Sequence, residues 1–176
     1  KRFYDKENKR LIYVDQEANE NFWDEHWQTD NFRKAVTATP KSWVMRTTKK
    51  YLSAGSLILE GGCGSANHVY SLQENGFRAV GVDYAEKTVE QIKIAVPEID
   101  VRIGDVRKLP YGNNSFSYYL SMGVIEHFSE GPMAALTEAY RVLEPGGVAY
   151  IATPTKYSLA HANSLIEWIF SLNKLP

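Results

Sequence analysis

Short apolar runs alternate with longer amphipathic segments through the second half of this chain. The apolar runs predict five strands, and the segments between them predict the helices that connect one strand to the next. The predicted strands cover 57–60, 78–83, 101–104, 116–121 and 147–153, and the predicted helices cover 66–74, 86–95 and 132–143. Short runs that are apolar on both faces are typical of parallel strands buried between layers of helices. The sequence therefore predicts an α/β fold, a doubly wound, mostly parallel sheet with helices on both faces.

The pattern divides the chain into three regions. Residues 55–154 hold the alternating strands and helices of the predicted core, and residues 1–54 form a lead with helical periodicity at 18–27 and 41–52 but no strong strand. Residues 155–176 hold a predicted amphipathic helix at 159–172. With no strand after 153, the fifth strand would be an open edge, which proteins rarely leave unprotected. We therefore expect that C-terminal strands completing the sheet are missing from this chain.

The lead carries an aromatic cluster, Phe22, Trp23 and Trp27, at helical spacing. Packing of a helix against its neighbours is the simpler interpretation. The alternative is a lid that closes over a ligand site.

The first predicted strand ends in a carboxylate, Glu60, and passes directly into a turn that contains Gly62, Cys63 and Gly64. A glycine turn between a strand and a helix commonly holds a nucleotide, because backbone without a Cβ can approach a ligand closely. A dinucleotide loop aims its N–H groups at a pyrophosphate, which a carboxylate would repel. Glu60 therefore favours a ligand that carries positive charge, and S-adenosylmethionine, with its ammonium and sulfonium, is such a ligand.

Two further carboxylates end later strands at nearly equal intervals. Asp83 lies 23 residues after Glu60, and Asp105 lies 22 residues after Asp83, so each interval fits one strand–helix repeat. The ends of parallel strands meet at one edge of the sheet, where open α/β sheets bind ligands. An acid about 20 residues after the glycine turn is placed to bond ribose hydroxyls. Asp83 is the candidate for this role, Tyr84 for a ring beside the adenine and Asp105 for the adenine amine, with capping of a helix or turn as the alternative for both acids.

These motifs resemble those of the class I S-adenosylmethionine-dependent methyltransferases over 56–154. The glycine turn is similar to the family's first motif, the turn after the second strand to its ribose motif, and three later segments to its remaining motifs. The matching segments are 57–66, 81–85, 104–111, 115–127 and 141–147. The chain departs from the pattern at Ala66, which stands at the third glycine and is still small enough for close approach.

The resemblance implies S-adenosylmethionine as cofactor and S-adenosylhomocysteine as product. It places the adenosyl part between Asp83 and Asp105 and the methionine end over Gly62 and Gly64. The cofactor-binding residues that it implies are Glu60, Gly62, Cys63, Gly64, Asp83, Tyr84, Asp105, Val106, Ser121 and Met122. Cys63 is interpreted as a small apolar filler whose backbone faces the ligand, rather than as a reactive thiol.

Direct methyl transfer depends mainly on positioning, and a base is needed only if the acceptor must lose a proton. Glu126 and His127 follow the fourth strand and are the catalytic candidates. His127 has three interpretations: packing in the turn, a general base or a metal ligand. Some quinone-biosynthesis O-methyltransferases of this class place a metal-binding Glu-x-x-Glu-His here. Because Gly123 stands at the first glutamate, too few ligands remain and we predict no metal.

Composition and charge restrict the class of methyl acceptor but add little about the fold. The net charge is −1 and no basic stripe or apolar span occurs, so we expect a small-molecule acceptor, no nucleic acid and no membrane span. A single cysteine favours a reducing cytoplasm. A homodimer stays open. Two alternatives to the methyltransferase remain: a non-catalytic S-adenosylmethionine-binding domain or partner subunit, and, less favoured because of Glu60, a nicotinamide-dependent oxidoreductase.

Overall fold

A six-stranded sheet forms the centre of the computed structural model, which describes residues 2–5, 7, 10–13, 19–38, 42–153 and 166–171. The described strands are β1 (Arg2–Asp5), β2 (Arg10–Tyr13), β3 (Leu57–Gly61), β4 (Arg78–Asp83), β5 (Val101–Ile103), β6 (Phe116–Met122), β7 (Leu143–Thr153) and β8 (Ile166–Ser171). The described α-helices are α1 (Glu20–Trp27), α2 (Phe32–Val36), α3 (Ser42–Tyr51), α4 (Asn67–Glu74), α5 (Glu86–Ala95) and α6 (Met133–Val142). A single 3₁₀ turn covers Ile125–His127 among these residues.

The order of the sheet is β5-β4-β3-β6-β7-β8, and its first five strands run parallel. The chain winds outward from β3 through β4 to β5, then crosses back to β6 beside β3. This reversal between β3 and β6 leaves a crevice at the carboxyl ends of the strands, the usual ligand position in such sheets. The predicted doubly wound α/β fold is confirmed.

Side chains alternate between two cores on the two faces of the sheet. Ile58 and Leu120 are fully buried on the face covered by α2, α3, α4 and α5. Leu59 and Tyr119 are fully buried on the opposite face, which α6 covers. Because successive side chains of a strand point to opposite faces, an apolar run with no polar alternation requires both layers.

The prediction of an open β7 edge and a terminal helix at 159–172 is wrong where the structure describes that segment. Residues Ile166–Ser171 form β8, which pairs antiparallel with β7 from Val148 to Thr153. The six residues of β8, four of them apolar, are too few for periodicity to separate a strand from a helix segment. The remainder of the predicted helix lies outside the described residues.

The lead also contains strands that the pattern did not predict. Backbone pairing joins β1 and β2 as an antiparallel hairpin, with Phe3 opposite Ile12. Each segment has only four residues and begins with an arginine, so the aromatic or branched residues at its centre, which favour strands, did not stand out in the pattern. The predicted helices at 18–27 and 41–52 correspond to α1 and α3, while α2 was missed.

Candidate active site

The carboxyl ends of β3, β4 and β6 and the loop after β5 surround an open cleft whose empty volume, with the solvent at its mouth included, is about 560 Å³. Six of the ten predicted cofactor residues line it together with His127. The six are Gly62, Asp83, Tyr84, Asp105, Val106 and Met122. Spacing along the sequence thus predicted which segments meet at one place, because parallel strands end at the same edge of the sheet.

The other four predicted residues, and Glu126, lie outside the walls of the cleft. Glu60, Cys63 and Ser121 are buried behind it, and the Ser121 hydroxyl donates to the Gly61 carbonyl at 3.0 Å. Burial, with the charges of Asp83 and Glu60, raises the pKa of the Cys63 thiol well above its ordinary value. A thiol kept neutral in this way is a poor nucleophile, which agrees with the interpretation of Cys63 as a filler.

The glycine turn after β3 is tied to the end of β4. The amides of Gly62 and Cys63 donate to the Val82 carbonyl at 2.7 and 3.1 Å, and the Gly64 amide donates to Asp83 Oδ2 at 2.8 Å. The Ala85 amide donates to Asp83 Oδ1 at 3.0 Å. Burial raises the pKa of Asp83, opposed by these amide hydrogen bonds. The glycine turn and the acid that ends β4 therefore form one hydrogen-bonded unit.

Glycine is required in this turn for a reason that sequence reasoning did not give. Gly62 and Gly64 have φ values of +73° and +49°, where a Cβ is strained. A Cβ on Gly62 would meet the side chain of Val124, and one on Gly64 would meet the indole of Trp27. A Cβ at either position would therefore meet protein side chains, in addition to any ligand space that it would occupy.

Glu60 is almost fully buried and has one bonded and one unbonded oxygen. Its Oε1 lies 2.8 Å from Nδ1 of His68, in the first turn of α4. Burial lowers the pKa of His68, but the charge of Glu60 and this hydrogen bond outweigh it and raise the pKa overall. The buried Oε2 has no hydrogen-bond partner among the described residues. A buried carboxylate oxygen of this kind is costly unless a cationic or donor group reaches it.

Arg107 holds Asp105, a contact that the sequence analysis missed. The guanidinium bonds both oxygens of Asp105 at 2.8 to 3.0 Å and also reaches Glu130. Burial alone would raise the pKa of Asp105, but its hydrogen bonds with Arg107 lower it. The guanidinium also lies over the ring of Phe128 at 4.9 Å. Asp105 at the cleft is therefore an ionised carboxylate whose charge is balanced by Arg107.

Two members of the aromatic cluster of α1, Trp23 and Trp27, line the cleft. Trp23 lies edge-on to the ring of His127, with centroids 4.8 Å apart, and hydrogen-bonds to the Tyr84 hydroxyl. Trp27 lies against Gly64, and both tryptophans line the cleft. Neither indole is fully buried. Helical spacing identified the cluster but could not show which neighbour its face meets.

His127 and Glu126 differ in their access to the cleft. Burial lowers the pKa of His127, a hydrogen bond with the Gly123 backbone opposes this, and His26 lowers it further. A ring N–H donated to that carbonyl leaves the other ring nitrogen able to accept a proton. Burial raises the pKa of Glu126, opposed by a hydrogen bond with Thr153, and Glu126 is not among the residues that line the cleft.

Two kinds of feature are absent from the described part of the chain. No cluster of three or more His, Cys, Asp or Glu side chains that could hold a metal ion occurs among these residues. No described helix has the length and apolar content needed to span a bilayer.

The core of the chain matches a known protein family. The family described as a methyltransferase domain matches residues 59–151, which contain the glycine turn, both later acids and His127. The chain belongs to the class I S-adenosylmethionine-dependent methyltransferases.

Curated relatives of this methyltransferase include a probable S-adenosylmethionine-dependent methyltransferase of Mycolicibacterium smegmatis, 33% identical over 61% of this chain and 41% of the relative. A ubiquinone biosynthesis O-methyltransferase of Parvibaculum lavamentivorans is 30% identical over 68% of this chain and 48% of the relative. A probable tRNA methyltransferase 9B of Mus musculus is 36% identical over 53% of this chain and 20% of the relative. The chain thus spans at most about half the length of these relatives.

Among solved structures, the PH0226 protein of Pyrococcus horikoshii superposes with a TM-score of 0.62 at 22% identity, over 77% of this chain and 65% of that one. At this identity the likeness shows the fold alone. Family membership removes the nicotinamide-dependent oxidoreductase as an alternative.

Proposed function

We propose that this methyltransferase binds S-adenosylmethionine in the cleft and methylates a hydroxyl group of a small, flat acceptor, with His127 accepting the hydroxyl proton. The observation that carries the proposal is that Asp83, a ribose-binding candidate, and His127, a base candidate, line the same cleft. Cofactor and acceptor can therefore meet there.

The residues of the cleft fit this cofactor. Behind the wall of the cleft, the unbonded Oε2 of Glu60 is a buried carboxylate oxygen that would suit an ammonium such as that of the methionine end. Asp83 is fixed by the amides of Gly64 and Ala85, and a carboxylate has further lone pairs that would accept from ribose hydroxyls. Tyr84 and Val106 provide apolar surface for a purine ring. A pyrophosphate fits poorly, because the amides that would bind it already donate to β4.

When bound, S-adenosylmethionine supplies an activated methyl group on its sulfonium, and S-adenosylhomocysteine is the product. The chain's own residues hold the reactants and manage one proton. His127, whose lowered pKa keeps it neutral near pH 7, takes the proton that the acceptor hydroxyl gives up. The aromatic surface of Trp23 and Phe128 excludes water from the reacting groups.

The charges of the cleft support a small neutral acceptor over a nucleic acid. Arg107 is the cleft cation among the described residues apart from histidine, and Asp105 and Glu130 both pair with it. A protein binds a phosphate backbone through cations that are not already paired, and its affinity rises with the number of phosphates that those cations neutralise. Aromatic walls suit a planar ring, and one relative is named a ubiquinone biosynthesis O-methyltransferase. The name of another relative, a tRNA methyltransferase, is the reason to keep transfer RNA in the test.

An acceptor screen tests the proposal. The full-length protein is incubated with methyl-labelled S-adenosylmethionine and, separately, phenols and quinols, carboxylic acids, amines and transfer RNA. We expect label in a phenolic or quinolic compound, with little label from His127→Ala. Label in transfer RNA alone would contradict the small-molecule acceptor. Binding of S-adenosylhomocysteine without transfer to any acceptor would favour the non-catalytic alternative.

A further inference from the structure

The helix that carries the cleft tryptophans is anchored by a carboxylate. In α1 the buried residue is Asp24, while Trp23 and Trp27 remain partly exposed. A surface helix is ordinarily anchored by apolar side chains, and burying a carboxylate is costly unless donors compensate it. The position of α1 therefore depends on what Asp24 bonds.

Asp24 bonds the first turn of α5. Its Oδ1 accepts from the Thr88 amide at 2.9 Å and from the Thr88 hydroxyl at 3.0 Å, across 64 residues of sequence. The N-cap residue of α5 is Ala85, whose side chain cannot cap. The first amides of a helix need acceptors, and a negative charge near them is favourable. Asp24 thus provides from α1 the cap that α5 lacks in its own sequence.

This contact lies directly beside the cleft. Helix α5 begins just after the Asp83-Tyr84 turn, and the charge of Asp24 contributes to the raised pKa of Asp83. On α1, Trp23 is the neighbour of Asp24 and reaches His127 and Tyr84, while Trp27 lies one turn on, against Gly64. Asp24 therefore ties the helix that carries both indoles to α5, in addition to the contacts that the indoles make themselves.

We propose that Asp24 is a positioning residue that caps α5 from α1 and thereby holds Trp23 and Trp27 over the cleft. Loss of the cap frees α1, and the cleft loses its aromatic cover while its strands and turns stay in place. The part of this inference that concerns a bound ligand rests on the proposed function.

Hydrogen exchange and ligand affinity test the inference on the full-length protein. In Asp24→Ala, we expect the amides of 20–27 to exchange on the order of tenfold faster, the ordinary effect of losing a cap, with β3 and β6 unchanged. Asp24→Asn retains an acceptor oxygen and should restore most of the protection. The matched control is Glu25→Ala, which removes an exposed acid from the same helix. Thr88→Val, which removes only the hydroxyl donor, should give a smaller acceleration.

The affinity for S-adenosylhomocysteine should fall several-fold in Asp24→Ala and recover in Asp24→Asn. If the amides of α1 exchange at the wild-type rate in Asp24→Ala, the claim that the Asp24 cap holds α1 is wrong. If the amides of α1 exchange faster in Asp24→Ala but S-adenosylhomocysteine binds with wild-type affinity, the claim that Asp24 positions the tryptophans for the ligand is wrong. If the wild-type protein binds no S-adenosylhomocysteine, the proposed function fails. Tryptophan fluorescence then tests the inference without a ligand: release of the indoles in Asp24→Ala should shift the emission to the red, and an unshifted emission would contradict their release.

Discussion

Asp83 Oδ2 accepts a hydrogen bond from the amide of Gly64 at 2.8 Å, so the acid at the end of β4 holds the glycine turn that follows β3. Its other oxygen holds the Ala85 amide, at the start of α5. Two segments that would each contact the cofactor are therefore rigidly connected before any ligand arrives. Such pre-organisation lowers the ordering cost of binding.

Replacing Asp83 should affect both the turn and the ligand. Asp83→Ala leaves two buried amides without acceptors, which costs about 1–3 kcal/mol of stability, and it should weaken S-adenosylhomocysteine binding by at least as much. Asp83→Asn keeps one acceptor oxygen and should lose less of both. Thermal unfolding and calorimetric titration measure the two effects. Wild-type affinity in a folded Asp83→Ala protein would remove Asp83 from the site.

Contact between Gly64 and Trp27 can be separated from backbone strain. Gly64→Ala and Gly76→Ala both place a Cβ at positive φ, which costs about 1–2 kcal/mol, but a Cβ on Gly76 meets no atom within 4 Å. Gly64→Ala should therefore lower the unfolding free energy further, by about 1–3 kcal/mol of overpacking. In a Trp27→Ala background this excess should disappear. Equal losses for the two alanine variants in chemical denaturation would show that Trp27 does not press on the turn.

The pH dependence of turnover should report His127. Since burial and His26 lower its pKa from the ordinary value near 6.5, the rate should rise with pH through a pKa below that value and then level off. His127→Ala should lower kcat by about 10²-fold or more, while the affinity for S-adenosylhomocysteine is kept. EDTA should leave the rate unchanged. A modest loss with an unaltered pH profile would instead support packing as the role of His127, and a rate stopped by EDTA would indicate a metal.

The stability of the fold should fall as pH rises, because of His68, whereas turnover should rise with pH. The folded pKa of His68 is raised, because Glu60 outweighs the effect of burial. The stabilisation is therefore complete below the unfolded value near 6.5 and is lost as pH rises through the folded pKa. His68→Gln keeps a donor for Glu60 without titrating. The midpoint temperature of the wild type should fall relative to His68→Gln between about pH 6 and about pH 8. Parallel curves for the two proteins would show that the pair does not titrate.

The central strands and the acid at the end of each could be predicted because both follow from local pattern. Apolar runs fix the strands, and parallel topology brings Glu60, Asp83 and Asp105 to one edge. The terminal strand β8 could not be separated from a helix, since a segment of six residues, four of them apolar, fits either. Contacts between distant segments were also missed: Asp24 with Thr88, Trp23 with His127 and Arg107 with Glu130 depend on how surface elements pack, and no local pattern records that.

Calorimetric titration of the wild-type protein with S-adenosylhomocysteine, and separately with NAD, tests the account most directly. The unbonded Glu60 oxygen, the fixed Asp83 and the occupied amides of the glycine turn all favour the first ligand over the second. We predict saturable, stoichiometric binding of S-adenosylhomocysteine at micromolar concentrations and no heat of binding for NAD. Binding of NAD with no response to S-adenosylhomocysteine would contradict the proposed cofactor and, with it, the proposed methyl transfer.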